Sequence, residues 1–226
     1  QIDPVTDTEV INLELMLADL AHAERRLEKT TCQGLERETL LIVSKGLQEG
    51  VPARAMGLSK DQEFSIKSMG LLTLKPVLYC FNVDEVDFTM DRETAIDRAV
   101  EVLSSVQYCD PLTDMFTLVS AKIEAEIALK GVEEQEEYLA SLGVGLEQPT
   151  QPFDELLSYN VLPSMVKELL NLSLVYTGPG VPPERSRTTK SYLMSNNGWT
   201  ADDLAGRLHG DIKRGFIKAE VTPAKQ

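Results

Sequence analysis

Pro76-Val77-Leu78-Tyr79-Cys80-Phe81-Asn82-Val83-Asp84-Glu85 is the stretch on which the fold of this chain turns. Its first six residues form a short, unbroken apolar run. β-Branched and aromatic content, with a proline at the start, predicts a strand buried on both faces rather than a helix. A helical pattern follows from about Arg92 to Val106, with Ala95, Ile96, Ala99, Val102 and Leu103 facing inward. Then comes a second apolar run, Met115-Phe116-Thr117-Leu118-Val119, and another helix from Ile123 to Leu129. Strand, helix, strand, helix at these lengths is the grammar of a parallel α/β sheet. Two such strands are too few for a complete doubly wound domain, so the expectation is a partial sheet.

Working outward, Thr8 to Lys29 reads as a long helix. Val10, Leu13, Leu17, Leu20 and Leu27 make its core-facing stripe, and Asp7 is the expected cap. A second helix, Leu35 to Gln48, carries Leu40, Val43 and Leu47 and stops at Gly50-Val51-Pro52. Two such helices most simply make an antiparallel hairpin, spanning about 8–50. Ser59 with Gln62 is a capping-box signature for a helix reaching Gly70. Past the second strand, Val132 to Leu142 is an acidic surface helix, and Phe153 to Leu170 reads as helical with Pro163 inside it. After Asn171 short β-prone runs alternate with Gly, Pro and charge. Thr200 and Asp203 cap a helix to His209, and Gly215 to Val221 reads as a strand. The organisation is an α/β part at 1–147, a helical connector at 148–171, and a small α+β part at 172–226.

Composition narrows the function. The chain has 226 residues, 22 Lys plus Arg against 36 Asp plus Glu, and a net charge of −14. Its apolar fraction of 42% is enough for a real core without a metal or disulfide staple. A duplex-DNA binder working by bulk charge is excluded, so nucleic-acid contact would need a local basic patch. No apolar run is long enough to span a membrane. Cys32, Cys80 and Cys109 are widely spaced with no CxxC, which reads as a reduced intracellular protein with incidental thiols and no structural zinc. His22 and His209 read as ordinary surface or packing histidines. The opening QIDPVTDTEV lacks the features of a signal peptide and does not begin with Met, so it reads as an interior cut of a longer chain.

Ligands of open parallel sheets sit at the carboxyl ends of strands. The first strand empties into Asn82-Val83-Asp84-Glu85 and the second into Ser120-Ala121-Lys122. An Asn amide offers donor and acceptor, a carboxylate three residues on accepts from a base N–H, and a Ser-Ala turn presents backbone N–H groups. Together they suit a purine edge. Taken singly, Asn82 is as readily a turn residue and Ser120-Ala121 a helix cap.

At these residues the chain resembles the YchF-type Obg-like ATPases, a translation-factor-related branch of the P-loop proteins. The matching stretches are Asp3–Leu15, Leu71–Glu85, Ser120–Ile127, Glu133–Gly143 and Leu208–Val221, in the family's order. The resemblance implies a nucleotide-binding domain with an inserted helical hairpin of coiled-coil kind, followed by a ubiquitin-like TGS domain. GTPase relatives read base with N-K-x-D and S-A-K. Here Glu85 stands for the aspartate and Val83 for the lysine, the family's N-x-x-E, which implies ATP preferred over GTP. Asn82, Val83, Glu85, Ser120 and Ala121 carry over as base-site residues; Asp84 has no assigned role.

The same resemblance implies ATP with Mg²⁺ in the complete family member and a ribosome partner in the cytoplasm, an organellar address staying open. Departures matter as well. No G-x-x-x-x-G-K-[ST] occurs, and the family's D-x-x-G switch segment has no counterpart. No catalytic residue is therefore assigned, and tight ATP binding by these residues alone is not expected. The TGS-like part is expected to be incomplete. Its basic residues Lys213, Arg214 and Lys218, with Arg185, Arg187 and Lys190, are either a ribosome or RNA contact or a solvated strand edge. Two readings stand: part of a ribosome-associated ATPase, or a non-catalytic ribosome- or protein-interaction module.

Overall fold

A computed structural model describes residues 3–84, 92–142, 162–178 and 190–223. The chain divides into two units, Gln1–Leu162 and Pro163–Gln226.

The first unit opens on α1 (Pro4–Leu27). Its cap is Asp3, whose carboxylate accepts from the Val5 and Thr6 amides at 3.1 and 3.3 Å, with Pro4 pre-set for the first turn. Asp7, expected as the cap, lies inside that turn. Helix α2 (Gly34–Gln48) buries Leu40, Val43 and Leu47 as its spacing predicts.

The two helices cross rather than align. Glu36 and Gln48, near opposite ends of α2, reach Arg26 and Glu24, only two positions apart on α1. In an antiparallel hairpin Gln48 would meet a residue about three turns earlier on α1. The expected antiparallel alignment is therefore corrected. The cluster around α2 takes up Leu20, Ala23 and Leu27 from the later turns of α1. Val10, Leu13 and Leu17, nearer its start, stay about half exposed, at 49, 51 and 55%.

Helix α3 (Lys60–Ile66) starts at the expected Ser59–Gln62 capping box. Its helical path ends at Gly70, whose φ of 62° is the left-handed conformation a C-terminal stop requires. Asp19 of α1 is 3% exposed and anchors the following turn. Its carboxylate accepts from the amides of Leu72 and Thr73 and from the Thr73 hydroxyl, at 2.8, 2.7 and 2.7 Å. The Thr73 oxygen in turn accepts from the Ala53 amide at 3.2 Å. Every oxygen of this buried carboxylate is thus engaged, which is what makes its burial tolerable.

Strands β1 (Leu78–Asn82) and β2 (Met115–Val119) pair in parallel, from Leu78 opposite Met115 to Asn82 opposite Val119. The α/β class and the two strands match the sequence reading. Burial on both faces does not: Cys80 is exposed and only Tyr79 of β1 is buried, whereas β2 buries Phe116, Thr117 and Leu118. One face of the pair is packed by α4 (Arg92–Ser105), α5 (Ala121–Ile127) and α6 (Val132–Ser141). Ala99, Leu103, Ile123, Ile127 and Leu139 close that core.

The second unit holds α7 (Leu162–Leu169) and the antiparallel pair β3 (Leu172–Thr177) and β4 (Lys190–Ser195), with Leu172 opposite Ser195 and Thr177 opposite Lys190. The rest of the expected helix at 153–161 lies outside the described residues. Helix α8 (Ala201–Leu208) carries the predicted Thr200–Asp203 capping box. The strand expected over Gly215–Val221 is absent. Instead α9 (Gly210–Arg214) forms, with His209 Nδ1 accepting from the Asp211 amide, and residues 216–223 run as coil. A strand needs a ladder partner, and Ile217 and Val221, 90 and 82% exposed, find none among the described residues. No described helix is long and apolar enough to cross a membrane.

Candidate nucleotide-base site

Parallel register brings the carboxyl ends of β1 and β2 side by side. The ladder runs one bond past the strands, with the Val83 amide donating to the Val119 carbonyl at 2.8 Å. Asn82, the last residue of β1, thereby faces the start of α5, and its Oδ1 accepts from the Ala121 amide at 2.9 Å. A backbone N–H can only donate, so the amide orientation is fixed by chemistry: oxygen inward, NH₂ left over. Asn82 is exposed, and that NH₂ has no partner among the described residues.

Ser120 precedes α5 in an extended conformation. Its carbonyl accepts from the Glu124 amide, but its side chain makes no capping bond. The residue is 2% exposed, and Oγ has no hydrogen-bond partner among the described residues. The capping role that Ser-Ala before a helix usually signals is thus not what this serine does. An unsatisfied buried hydroxyl costs roughly 1–3 kcal/mol.

Of the backbone N–H groups expected at the Ser-Ala turn, that of Ala121 is engaged by Asn82. Val83 is half-buried and packs against the strand core, so its side chain serves packing. Asp84 is exposed. Glu85 lies outside the described residues. The structure therefore brings Asn82, Ser120 and Ala121 together across about forty residues of sequence, and the Asn82–Ala121 bond was not foreseeable from either loop alone.

Two of the expected basic contacts, Lys213 and Arg214, have acidic partners of their own. Lys213 Nζ lies 3.4 Å from Asp202 and 3.8 Å from Asp203, and Arg214 pairs with Asp211. The Thr200 amide and hydroxyl, with a smaller contribution from Lys213, hold the Asp203 carboxyl below its usual range. Lys218 is exposed on the coil, and Arg185 and Arg187 lie outside the described residues. Asp211, three residues before Arg214, was the sequence signal for this pairing. Among the described residues no group of three or more acidic, histidine or cysteine side chains is placed to hold a metal.

No family model matches the chain. It is 32% identical over 233 residues to the ribosome-binding ATPase YchF of Bacillus subtilis, covering 98% of this chain and 57% of that protein. The ribosome-binding ATPase YchF of Haemophilus ducreyi is 34% identical over 229 residues, covering 98% and 56%. Among solved structures, the Schizosaccharomyces pombe YchF GTPase shares the fold with a TM-score of 0.65 at 23% identity, over 96% of this chain and 55% of that one. The chain spans a little over half the length of these relatives. With a third of its positions shared in one order from end to end, it belongs to the YchF family of Obg-like P-loop proteins.

Proposed function

We propose that this chain is the base-recognising and partner-contacting portion of a ribosome-associated ATPase, with adenine favoured over guanine. The Asn82–Ala121 hydrogen bond carries the reading. Guanine presents O6 as an acceptor and would call on a main-chain donor in the second loop, but the Ala121 N–H is already engaged. The Asn82 NH₂ stays available to an adenine ring nitrogen, and Glu85 is the acceptor for the adenine N6–H. The Ser120 hydroxyl, without a partner among the described residues, supports the same reading as a donor to the base.

Relatives described as ribosome-binding ATPases in two bacteria support the ribosome partner and a cytoplasmic setting, while a yeast relative is described as a GTPase. Base choice is therefore the point on which the proposal commits. Hydrolysis of ATP with Mg²⁺ belongs to the complete protein, with phosphates and metal held by residues other than these 226. The TGS-like assignment of 172–226, and RNA contact through Lys213, Arg214 and Lys218, belong to the proposal as well. The latter requires Lys213 and Arg214 to exchange aspartate for phosphate.

A second reading, a non-catalytic interaction module, is favoured by the half-exposed Val10, Leu13 and Leu17 on α1. Calorimetry with Mg²⁺-ATP and Mg²⁺-GTP, beside ribosome co-sedimentation, separates the two. The first reading predicts ATP binding at about millimolar strength, since a few base hydrogen bonds contribute only about 1 kcal/mol each. Co-sedimentation with no nucleotide preference at any concentration supports the second.

A further inference from the structure

A second polar constellation lies away from the base site, between α1, the turn after α2, and the segment after α4. There a shallow, open cleft is lined among others by Asn12, Arg54, Gln107 and Tyr108. Arg54 is half-buried, and its Nη2 donates to the Tyr79 hydroxyl at 3.3 Å. That hydroxyl shares a 2.9 Å hydrogen bond with Cys109 Sγ, which the Asn12 amide also approaches at 3.8 Å. Burial first, and then the Cys109 contact, push the Tyr79 phenol well above the usual tyrosine range. The phenol therefore stays neutral and cannot serve Arg54 as a counter-charge.

No carboxylate among the described residues lies within ion-pair distance of Arg54, in a chain where acids outnumber bases by 36 to 22. An uncompensated, partly desolvated guanidinium is costly, and its planar fork suits an oxyanion. Gln107 beside it is exposed and has no side-chain hydrogen bond among the described residues. Tyr108 sits at φ 61°, a left-handed conformation that costs a bulky residue about 1–2 kcal/mol and that turns the backbone at the cleft. Local strain, an unpaired cation and an idle amide converge on one small space.

We propose that this cleft is a binding site for the oxyanion head of a small free molecule, a carboxylate or a phosphate. Arg54 is the anchor and Gln107 a second donor. The enclosed part of the cleft is only about 20 Å³, far below the roughly 300–1,000 Å³ of sites that engulf whole metabolites, so only the edge of an oxyanion head enters and the remainder stays outside. A polyanion is disfavoured by the net charge of −14. The site is independent of the nucleotide base, since none of its residues belongs to Asn82–Glu85 or Ser120–Lys122.

The test is a nitrogen-15 NMR titration of the whole chain with inorganic phosphate and with acetate, at constant ionic strength set by chloride. Saturable shifts of the Arg54 Nε–H and Gln107 side-chain signals, with a dissociation constant below about 10 mM for at least one anion, are expected. Saturation by phosphate alone or by acetate alone identifies which head the cleft takes. Arg54→Met should weaken binding at least about tenfold, and Gln107→Ala, which leaves the Tyr79 bond intact, about threefold. Linear, non-saturating shifts with both anions would overturn the proposal, as would saturation unchanged in Gln107→Ala and in a folded Arg54→Met.

Discussion

The helical cluster of the first unit and the whole of the second unit hold themselves together by different means. In the first, Ala23, Cys32, Leu40, Val43, Ile66 and Leu71 are essentially closed to solvent, and Asp19 ties α1 to the turn at Leu72–Thr73 through three hydrogen bonds. In the second, the buried hydrophobics among the described residues are Met165, Met194 and Ala205, while Leu174, Tyr176, Leu193 and Trp199 stay 40–54% exposed. What orders it is local. A six-residue antiparallel ladder, the Thr200–Asp203 capping box, the Asn171–Asn196–Asn197 amide contacts and Arg207 over the Trp199 ring at 4.6 Å do the holding. Burial concentrates stability where side chains interlock; caps and ladders specify shape with much less of it.

Deleting a buried side chain is the strongest way to break this contrast. Leu40→Ala should cost about 2–5 kcal/mol, read by chemical denaturation with amide exchange at α1 and α2. A loss below about 1 kcal/mol would show that the helical cluster is loosely packed. Asp19→Asn keeps the shape but turns one acceptor oxygen into a donor facing donors. A cost of about 1–3 kcal/mol is expected, with faster exchange of the Leu72 and Thr73 amides as its signature. In the second unit Thr200→Ala should cost only about 1 kcal/mol, confined to fraying of α8.

The smallest effect depends on pH. Arg26 and Glu36 form a bidentate pair at 2.7–2.8 Å, and the hydrogen bond from Arg26 holds the Glu36 carboxyl below its ordinary value of 4.5. A carboxylate with a depressed folded-state pKa stabilises above its unfolded value and loses that contribution as pH falls through the folded one. Glu36→Gln should therefore be slightly less stable than wild type at neutral pH, with the gap closing under acid. A gap that stays constant down to pH 3 would remove the pair from the account.

Legibility followed the range of the interactions involved. The Ser59–Gln62 and Thr200–Asp203 boxes depend on residues three apart and could be read directly, as could β2 at Met115–Val119. The apolar spacing of α2 likewise marked the residues it buries. The stripe of α1 held at Leu20 and Leu27 but not at Val10, Leu13 and Leu17, because the helices cross, and crossing angle is not written in periodicity. The 215–221 segment has the alternation of a strand, but pairing is a property of a neighbour, and none among the described residues supplies it. At the base site the residue types were legible and their division of labour was not. That Asn82 uses up the Ala121 N–H and leaves Ser120 idle follows from the β1–β2 register, which joins positions about forty residues apart.

The base preference rests on that one bond, and it can be watched directly. Nitrogen-15 NMR of the chain during titration with ATP or GTP follows both the Asn82 side-chain NH₂ and the Ala121 amide. The account predicts that ATP moves the Asn82 NH₂ signals in a saturable way at about millimolar concentration while the Ala121 amide stays hydrogen-bonded, and that GTP does so more weakly. Stronger saturation by GTP, with the Ala121 amide released from Asn82, would contradict it.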